Sequence, residues 1–585
     1  MIFLGYVLSF LLLNVLLRRV NRRLRDVLIL GYNVAFAAVM HFIRLAEPPM
    51  DLPGFFATLG AAVMKAPGAV AFQGDAASFG QTDAFFVFLF MSLYTVRTVL
   101  SLFFLQLYNE LKMSWRLLWR RRIFVIVGER EAARALIKDL TAAQRRCAVV
   151  YIPDQEAGKD AKPMLGACES DGGYLKRLRK GKQYDIVLLP DRGVRNYRLL
   201  RDLEEQGEAL PEVRVTAFLD NEVLRMEDLR FDHLDLYLVS EEQLVVQEFM
   251  GRHLPLAALK ERYPDATAGE IYAPPEPFSL CVVGFTAFAR EFLLETYENT
   301  AFETASGERG LRVTVVDNDM AGEKAAFCHR LSGVAEEGNI TWLEAAPWSE
   351  EFYQAVEGTL FHQILIATPD TDENLRLAME LRRLLAARAE KTQLVVALFR
   401  EDRGAAALLS GDPQVFLEQV NEGQYTYAKL IERSVDRQAR ALHQTYLGNL
   451  PGGTEWSKLG TFTQASNRAV VWDVPNKLLL AGDTASLTDD AFKKLLWQLA
   501  RYEHSRWNAF HYARGWRTLA VSELTEGERS AGTTKHPAEK RHTCLVGWDE
   551  LDALPQARPG LLKYYDYENV ARLFPQSGED RQEEA

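Results

Sequence analysis

The chain is poor in cysteine. Five are spread over 585 residues, at Cys147, Cys168, Cys281, Cys328 and Cys544, and no two stand in a CxxC spacing. An odd, dilute set excludes a disulfide framework and fits a reducing compartment. A basic surplus is missing too: 68 Lys and Arg against 79 Asp and Glu give a formal charge of −11, which argues against a nucleic-acid binder. No G-x-S-x-G, HExxH or Walker A motif is present, so the usual hydrolase, zinc-protease and P-loop chemistries have no sequence carrier. Cys328-His329 and the pair His542 and Cys544 are close in sequence only, which is poor evidence for a nucleophile and its base. His536, His542 and Cys544 lack the fourth ligand and the spacing of a metal site. The chain is therefore expected to be neither an enzyme nor a metalloprotein. At 48% hydrophobic and 25% charged it is not disordered or collagen-like, and its length suggests roughly three to five domains.

The charge is uneven. Residues 1–122 hold thirteen Lys/Arg and six Asp/Glu, a net +7, so the other 463 carry −18. The basic part contains three apolar runs, 2–17, 27–43 and 84–107, each near the about 17–25 residues that cross a bilayer. The cluster Arg18, Arg19, Arg22, Arg23 and Arg25 follows the first run instead of preceding it, unlike a cleaved signal peptide. It lies between the first two runs. Lys112, Arg116, Arg120, Arg121 and Arg122 follow the third, whereas 45–83 has Lys65 against Glu47, Asp51, Asp75 and Asp83. By the positive-inside rule, 1–112 is an inner-membrane, multi-pass domain with its amino terminus outside; 113–122 is a basic linker and the bulk of the chain is cytoplasmic. Buried core helices are the competing reading.

Within the outer segment, 54–80 has the order of a re-entrant pore loop. An apolar helix-like stretch, 55–65, is broken by Pro67-Gly68, and Val70-Ala71-Phe72-Gln73-Gly74-Asp75 follows. Non-helical backbone at membrane depth needs a cavity to line. Phe72, Gln73, Gly74 and Asp75 are weakly similar to the potassium-channel filter motif TVGYGD. The ending Gly-Asp is kept, the Thr and first Gly are missing, and Gln73 stands in a small or aromatic position. An ordinary outer loop is the alternative. Arg97 is in mid-span, where a charge faces a pore or pairs with a neighbouring helix.

The soluble part repeats one pattern. Ile123-Phe124-Val125-Ile126-Val127-Gly128 precedes a helix-like stretch, and further short β-branched runs follow. Phe278-Ser279-Leu280-Cys281-Val282-Val283-Gly284 starts the same order about 155 residues later. Strands alternating with helices indicate parallel sheets with crossovers, and the period indicates duplication. In G-x-G-x-x-G turns the second Gly lets a pyrophosphate approach a helix start. Here the turns read Gly128, Arg130, Ala133 and Gly284, Thr286, Ala289, so both lack it. The second repeat adds Asp317 and Asp319 after its second strand and Thr368 after its fourth. Its run Ile364-Leu365-Ile366-Ala367-Thr368-Pro369-Asp370-Thr371-Asp372-Glu373-Asn374-Leu375 resembles the fourth strand and following helix of RCK domains, the regulator-of-potassium-conductance or TrkA-N type. The resemblance implies two Rossmann-like, doubly wound domains, 123–265 and 275–440. The second is the candidate holder of NAD(H) or another nucleotide, through Gly284, Thr286, Ala289, Asp317, Asp319 and Thr368; a purely structural scaffold is the alternative.

Residues 441–485 carry turn signals and no clear period, and read as a connector. From 489 to 514 apolar residues recur at helical spacing. The run Ala500-Arg501-Tyr502-Glu503-His504-Ser505-Arg506-Trp507-Asn508, then Gly515-Trp516, His542-Thr543-Cys544-Leu545-Val546 and Trp548-Asp549-Glu550-Leu551, is similar to the RyR domain, the ryanodine-receptor repeat also found in prokaryotic proteins. The resemblance implies a mainly α module over 486–575 that senses a ligand, with Glu503, His504, Arg506, Trp507, Trp516 and Trp548 as pocket candidates. Trp faces stack on bases and Arg pairs with phosphate. Equally, the tryptophans could be core and Glu503–Arg506 an i,i+3 pair. Residues 576–585 form an acidic tail.

Together these features suggest a ligand-gated ion channel or channel-like membrane effector. It would be a homotetramer in the lipid bilayer that passes monovalent ions under RCK-like gating domains, with a small nucleotide-type ligand read by the RyR-like module. Ion homeostasis and antiphage depolarisation are both compatible roles. A membrane-anchored nucleotide sensor or scaffold without a pore is the alternative, and an enzyme acting on NAD-type nucleotides the third.

Overall fold

A computed structural model describes residues 2–16, 22–46, 51–70, 82–103, 115, 117–144, 147–154, 164, 166–190, 194–207, 212–219, 226–264, 270–388, 391–400, 404, 407, 409, 411–421, 423–449, 454–484, 487–554 and 561–574. The chain divides into two compact units, 1–120 with 161–168, and 121–160 with 169–585.

Among the described residues the first unit includes the helices Ile2–Leu16, Arg22–Leu45, Leu52–Val70 and Thr82–Phe103. Tyr6, Phe10, Phe36, Phe90 and Tyr94 join three of them through ring contacts of 4.9–6.1 Å. The Tyr6 hydroxyl donates to buried Asn33 Oδ1 at 2.8 Å. Among the described residues one helix, Leu28–Leu45, is long and apolar enough to cross a membrane, and Leu52–Ala66 is a shorter apolar helix. The third helix continues to Val70, past the Pro67-Gly68 pair expected to break it. A proline this close to a helix end removes one main-chain bond and need not stop the last turn. Arg97 is exposed, its guanidinium 5.1 Å from the centroid of the Tyr94 ring one turn earlier. Phe72, Gln73, Gly74 and Asp75 lie outside the described residues, as do most of 104–116 and the tail 575–585.

The second unit is built on two six-stranded sheets. The first contains β1 (Arg122–Gly128), β2 (Ala148–Pro153), β3 (Cys168–Glu169), β4 (Gln183–Leu188), β5 (Glu212–Phe218) and β6 (Leu234–Val239), in the order β3-β2-β1-β4-β5-β6. The second contains β7 (Phe278–Val283), β8 (Leu311–Asp317), β9 (Ile340–Glu344), β10 (Gln363–Ile366), β11 (Gln393–Leu398) and β12 (Val415–Gln419), in the order β12-β11-β10-β7-β8-β9. Counted within each repeat, both read 3-2-1-4-5-6, the Rossmann order, with the crevice beside the first and fourth strands. The second sheet is parallel at every pairing. Both sheets are rich in Val, Ile and Leu and nearly all buried at β1, β4, β7 and β10, as strands covered on both faces require. The duplication and the parallel α/β class expected from the sequence are therefore present.

The three soluble modules expected from the sequence share one unit. Phe249 of the helix Glu241–Arg252, Phe292 of the helix Ala287–Asn299, and Leu495, Leu499 and Trp516 of the carboxy-terminal region belong to one continuous apolar core. The expected connector is mostly helical, with Thr461–Trp472 and Val474–Ala481. Its buried side chains include Gln464, Arg468, Asn476 and Lys477. A helix whose inner face is polar leaves no apolar period to read. The stretch after β12 returns to the first sheet: Thr216 Oγ1 donates to Leu430 O at 2.6 Å, and Tyr427 N donates to Asp139 Oδ2 at 2.7 Å.

Candidate ligand-binding cavity

Two places were expected to hold a ligand, the strand–helix turn after β7 and the carboxy-terminal module. At the first, Gly284 has φ +84°, and a Cβ there would lie 2.6 Å from Ala367 O and Thr368 N. Gly128 has φ +132°, with a Cβ 2.8 Å from Leu189 Cβ. Both glycines are needed because the fourth strand of each repeat ends against the first turn. The other candidate side chains around the β7 turn are bonded to protein groups. Asp317 Oδ2 accepts from Phe285 N at 2.7 Å and Oδ1 from Asp319 N at 2.8 Å. Thr286 caps the helix through Ala289 N and donates to Ala367 O at 3.1 Å. Thr368 donates from its amide and hydroxyl to Asn374 Oδ1, at 2.9 and 2.7 Å. The amide after Gly284, which a pyrophosphate would use, already has a carboxylate partner. In the first repeat Glu129 occupies the helix start, accepting from Glu131 N and Ala132 N, where a phosphate would sit.

The carboxy-terminal module is organised by one long helix, Asp489–Tyr512. Thr488 caps its start and Asp489 and Asp490 fill the first turn, as the helix dipole favours. Four pocket candidates on or near this helix serve the interior. Arg506 grips Glu503 with two bonds of 2.9 and 2.8 Å, Lys477 Nζ lies 2.8 Å from Glu503 and 2.5 Å from Asp473, and Tyr502 donates to Asp473 at 2.6 Å. All five are buried. Burial would raise the Glu503 pKa, but Arg506 and Lys477 outweigh it and hold it down to about 2. His504 meets Val546 O at 2.9 Å and Asp566 at 3.2 Å. Trp548 packs near His504 and Trp497, with Lys563 Nζ 5.3 Å from its ring centroid.

Trp507 and Trp516 do meet, in a cavity of about 530 Å³ that Phe462, His511 and His542 also line. The ring centroids of Trp507 and His511 are 3.9 Å apart, Trp507 and His542 5.2 Å and edge-on, His511 and Trp516 5.4 Å, and Phe462 and Trp516 5.2 Å. Burial pushes His511 well down, and burial together with Lys535 pushes His542 down to about 4. The walls are thus uncharged aromatics at neutral pH. Positive charge comes from Lys535, Lys540 and Arg230, with Glu227 and Asp228 beside them. Flat neutral walls with ammonium and guanidinium groups suit a ring carrying an anionic substituent. Phe462 sits in the stretch read as a connector and Arg230 in the loop before β6; neither carries a sequence signal. His542 does belong to the motif that carries the RyR resemblance.

No family model matches the chain, and no curated protein matches it. Solved structures that align with it include GsuK bound to ADP, at 14% identity and TM-score 0.30, over 68% of this chain and 96% of that one. D-mandelate dehydrogenase from Rhodotorula graminis aligns at 14% identity and TM-score 0.22, over 55% and 95%. A dipicolinate synthase polypeptide from Bacillus halodurans aligns at 11% and 0.16, over 47% and 81%. The Rossmann-like assignment rests on the two strand orders above.

Proposed function

We propose that the chain is a membrane-anchored sensor of a nucleotide-type ligand, with its amino-terminal helices in the bilayer and its duplicated sheets relaying ligand occupancy to them. The observation that carries this reading is the cavity of Trp507, His511, Trp516, Phe462 and His542 with its Lys535, Lys540 and Arg230 charges. Its volume suits a mononucleotide. In the finer form of the reading the amino-terminal helices assemble as a homotetrameric, channel-like pore for monovalent ions. The duplicated Rossmann-like sheets then play the part of gating domains, and differential affinity of the ligand for two arrangements opens or closes the pore. No catalytic step is part of the proposal.

Two measurements separate the possibilities. Tryptophan fluorescence titrated with ATP tests the cavity; saturable quenching that Trp516→Leu abolishes is expected, and its absence in the parent protein would sink the sensor reading. Ion flux in proteoliposomes tests the pore. Binding without flux leaves an anchored sensor or scaffold.

A further inference from the structure

The wall of the aromatic cavity that does not belong to the carboxy-terminal module includes the strip from Met226 to Arg230, just before β6. This strip is tied to the start of the helix Thr461–Trp472. Thr461 N donates to Leu229 O at 2.9 Å, Leu229 N to Thr461 Oγ1 at 3.0 Å, and Thr461 Oγ1 to Glu227 O at 3.1 Å. Asp228 Oδ1 accepts from Phe462 N at 3.1 Å. Glu227 reaches across the cavity to the module: its Oε1 lies 3.2 Å from Lys540 Nζ. Lys540 has φ +51°, and its carbonyl accepts from Arg517 N at 2.8 Å, which anchors the backbone beneath the side chain. Lys540 closes the short turn Pro537–Glu539 in this left-handed conformation, which non-glycine residues adopt uncommonly.

We infer that Glu227 is a built-in competitor for the ligand's anionic group. In the unliganded cavity its carboxylate neutralises Lys540. A phosphate-bearing ligand takes Lys540 and leaves Glu227 facing an anion, which pushes the strip before β6 away from the module. The inference rests on the reading of this cavity as the ligand site. It predicts discrimination by charge: Glu227 opposes anionic ligands and is indifferent to the same ring system without phosphate.

The test is calorimetric titration of the full chain in detergent micelles with ATP and with adenosine. Glu227→Gln is expected to tighten ATP about three- to fivefold, the size of a partly exposed ion pair, and to leave adenosine unchanged. Lys540→Met is expected to weaken ATP by a similar factor, and Glu227→Gln should tighten ATP less on the Lys540→Met background than in the parent protein, since the pairing it relieves is already gone. An unchanged ATP affinity in Glu227→Gln, or an equal shift for adenosine, overturns the competitor while leaving the sensor reading in place. If the parent protein binds neither compound, both fall together.

Discussion

Glu503 and Arg506 show how much one residue's role depends on its surroundings. Their i,i+3 spacing is readable as an ion pair, but Lys477 and Asp473, which complete the network, lie in a stretch without a legible pattern. Buried charges are tolerable only when every partner is present. Lys477→Met, which leaves Glu503 and Asp473 short of a cation, is expected to destabilise the second unit by about 3 kcal/mol, seen as an earlier thermal transition. Glu503 contributes stability that is complete above the ordinary carboxylate range and lost as pH falls through about 2. Glu295 behaves in the opposite sense. It lines a narrow polar cavity with Gln243, Gln247 and Arg468. Burial, then Glu298 and Glu291, push its pKa up to about 8. Its folded pKa is raised, so its contribution is complete below the ordinary carboxylate range and is lost as pH rises through about 8. Glu295→Gln mimics the protonated form and should lose less thermal stability than the parent between about pH 5 and 9. Identical slopes would refute the assignment.

At the scale of elements, the strand–helix turns were legible and their chemistry was not. Gly128 and Gly284 end short β-branched runs, as a Rossmann turn requires, yet the contacts made by Glu129, Asp317 and Thr286 fill the anion position with protein groups. Gly284→Ala would drive a Cβ into Ala367 and Thr368 backbone at 2.6 Å and strain φ +84°. A loss of about 2–4 kcal/mol is expected, measurable by chemical unfolding. The long helix Asp489–Tyr512 follows its apolar period closely. Which of its faces meets a cavity did not follow from that period. Trp507 and His511 line the aromatic cavity, while Ser505, Asn508 and Tyr512 line a second of about 550 Å³ with Arg309 and Glu337. The helix end packs tightly: a Cβ on Gly333 would lie 2.4 Å from Tyr512.

At the scale of the whole molecule, the modules of the second unit are interlocked. Buried Arg433 donates to Thr216 of β5 at 2.9 and 2.7 Å and lies 3.6 Å from Asp436 and 3.9 Å from Asp235. Arg468 reaches the same Asp436 at 2.5 Å. Residues from after the second sheet thus complete the first. Arg433→Met should therefore expose both sheets to limited proteolysis together, instead of releasing the first as an intact fragment. Separate protection of 123–265 in the variant would contradict this.

The sequence by itself determined what depends on local periodicity and composition: the apolar amino-terminal runs, the alternating strands and helices of two repeats, and the long helix with Trp507. Tertiary structure decided the rest. It sent Glu503 and Arg506 inward and brought Trp507, Trp516 and His542 together with Phe462 and Arg230. It also made one body of three modules. The reason is physical. Backbone periodicity is set by residues three or four apart on a helix and two apart on a strand, whereas a cavity and its counter-ions are set by segments hundreds of residues apart, as Glu227 and Lys540 are.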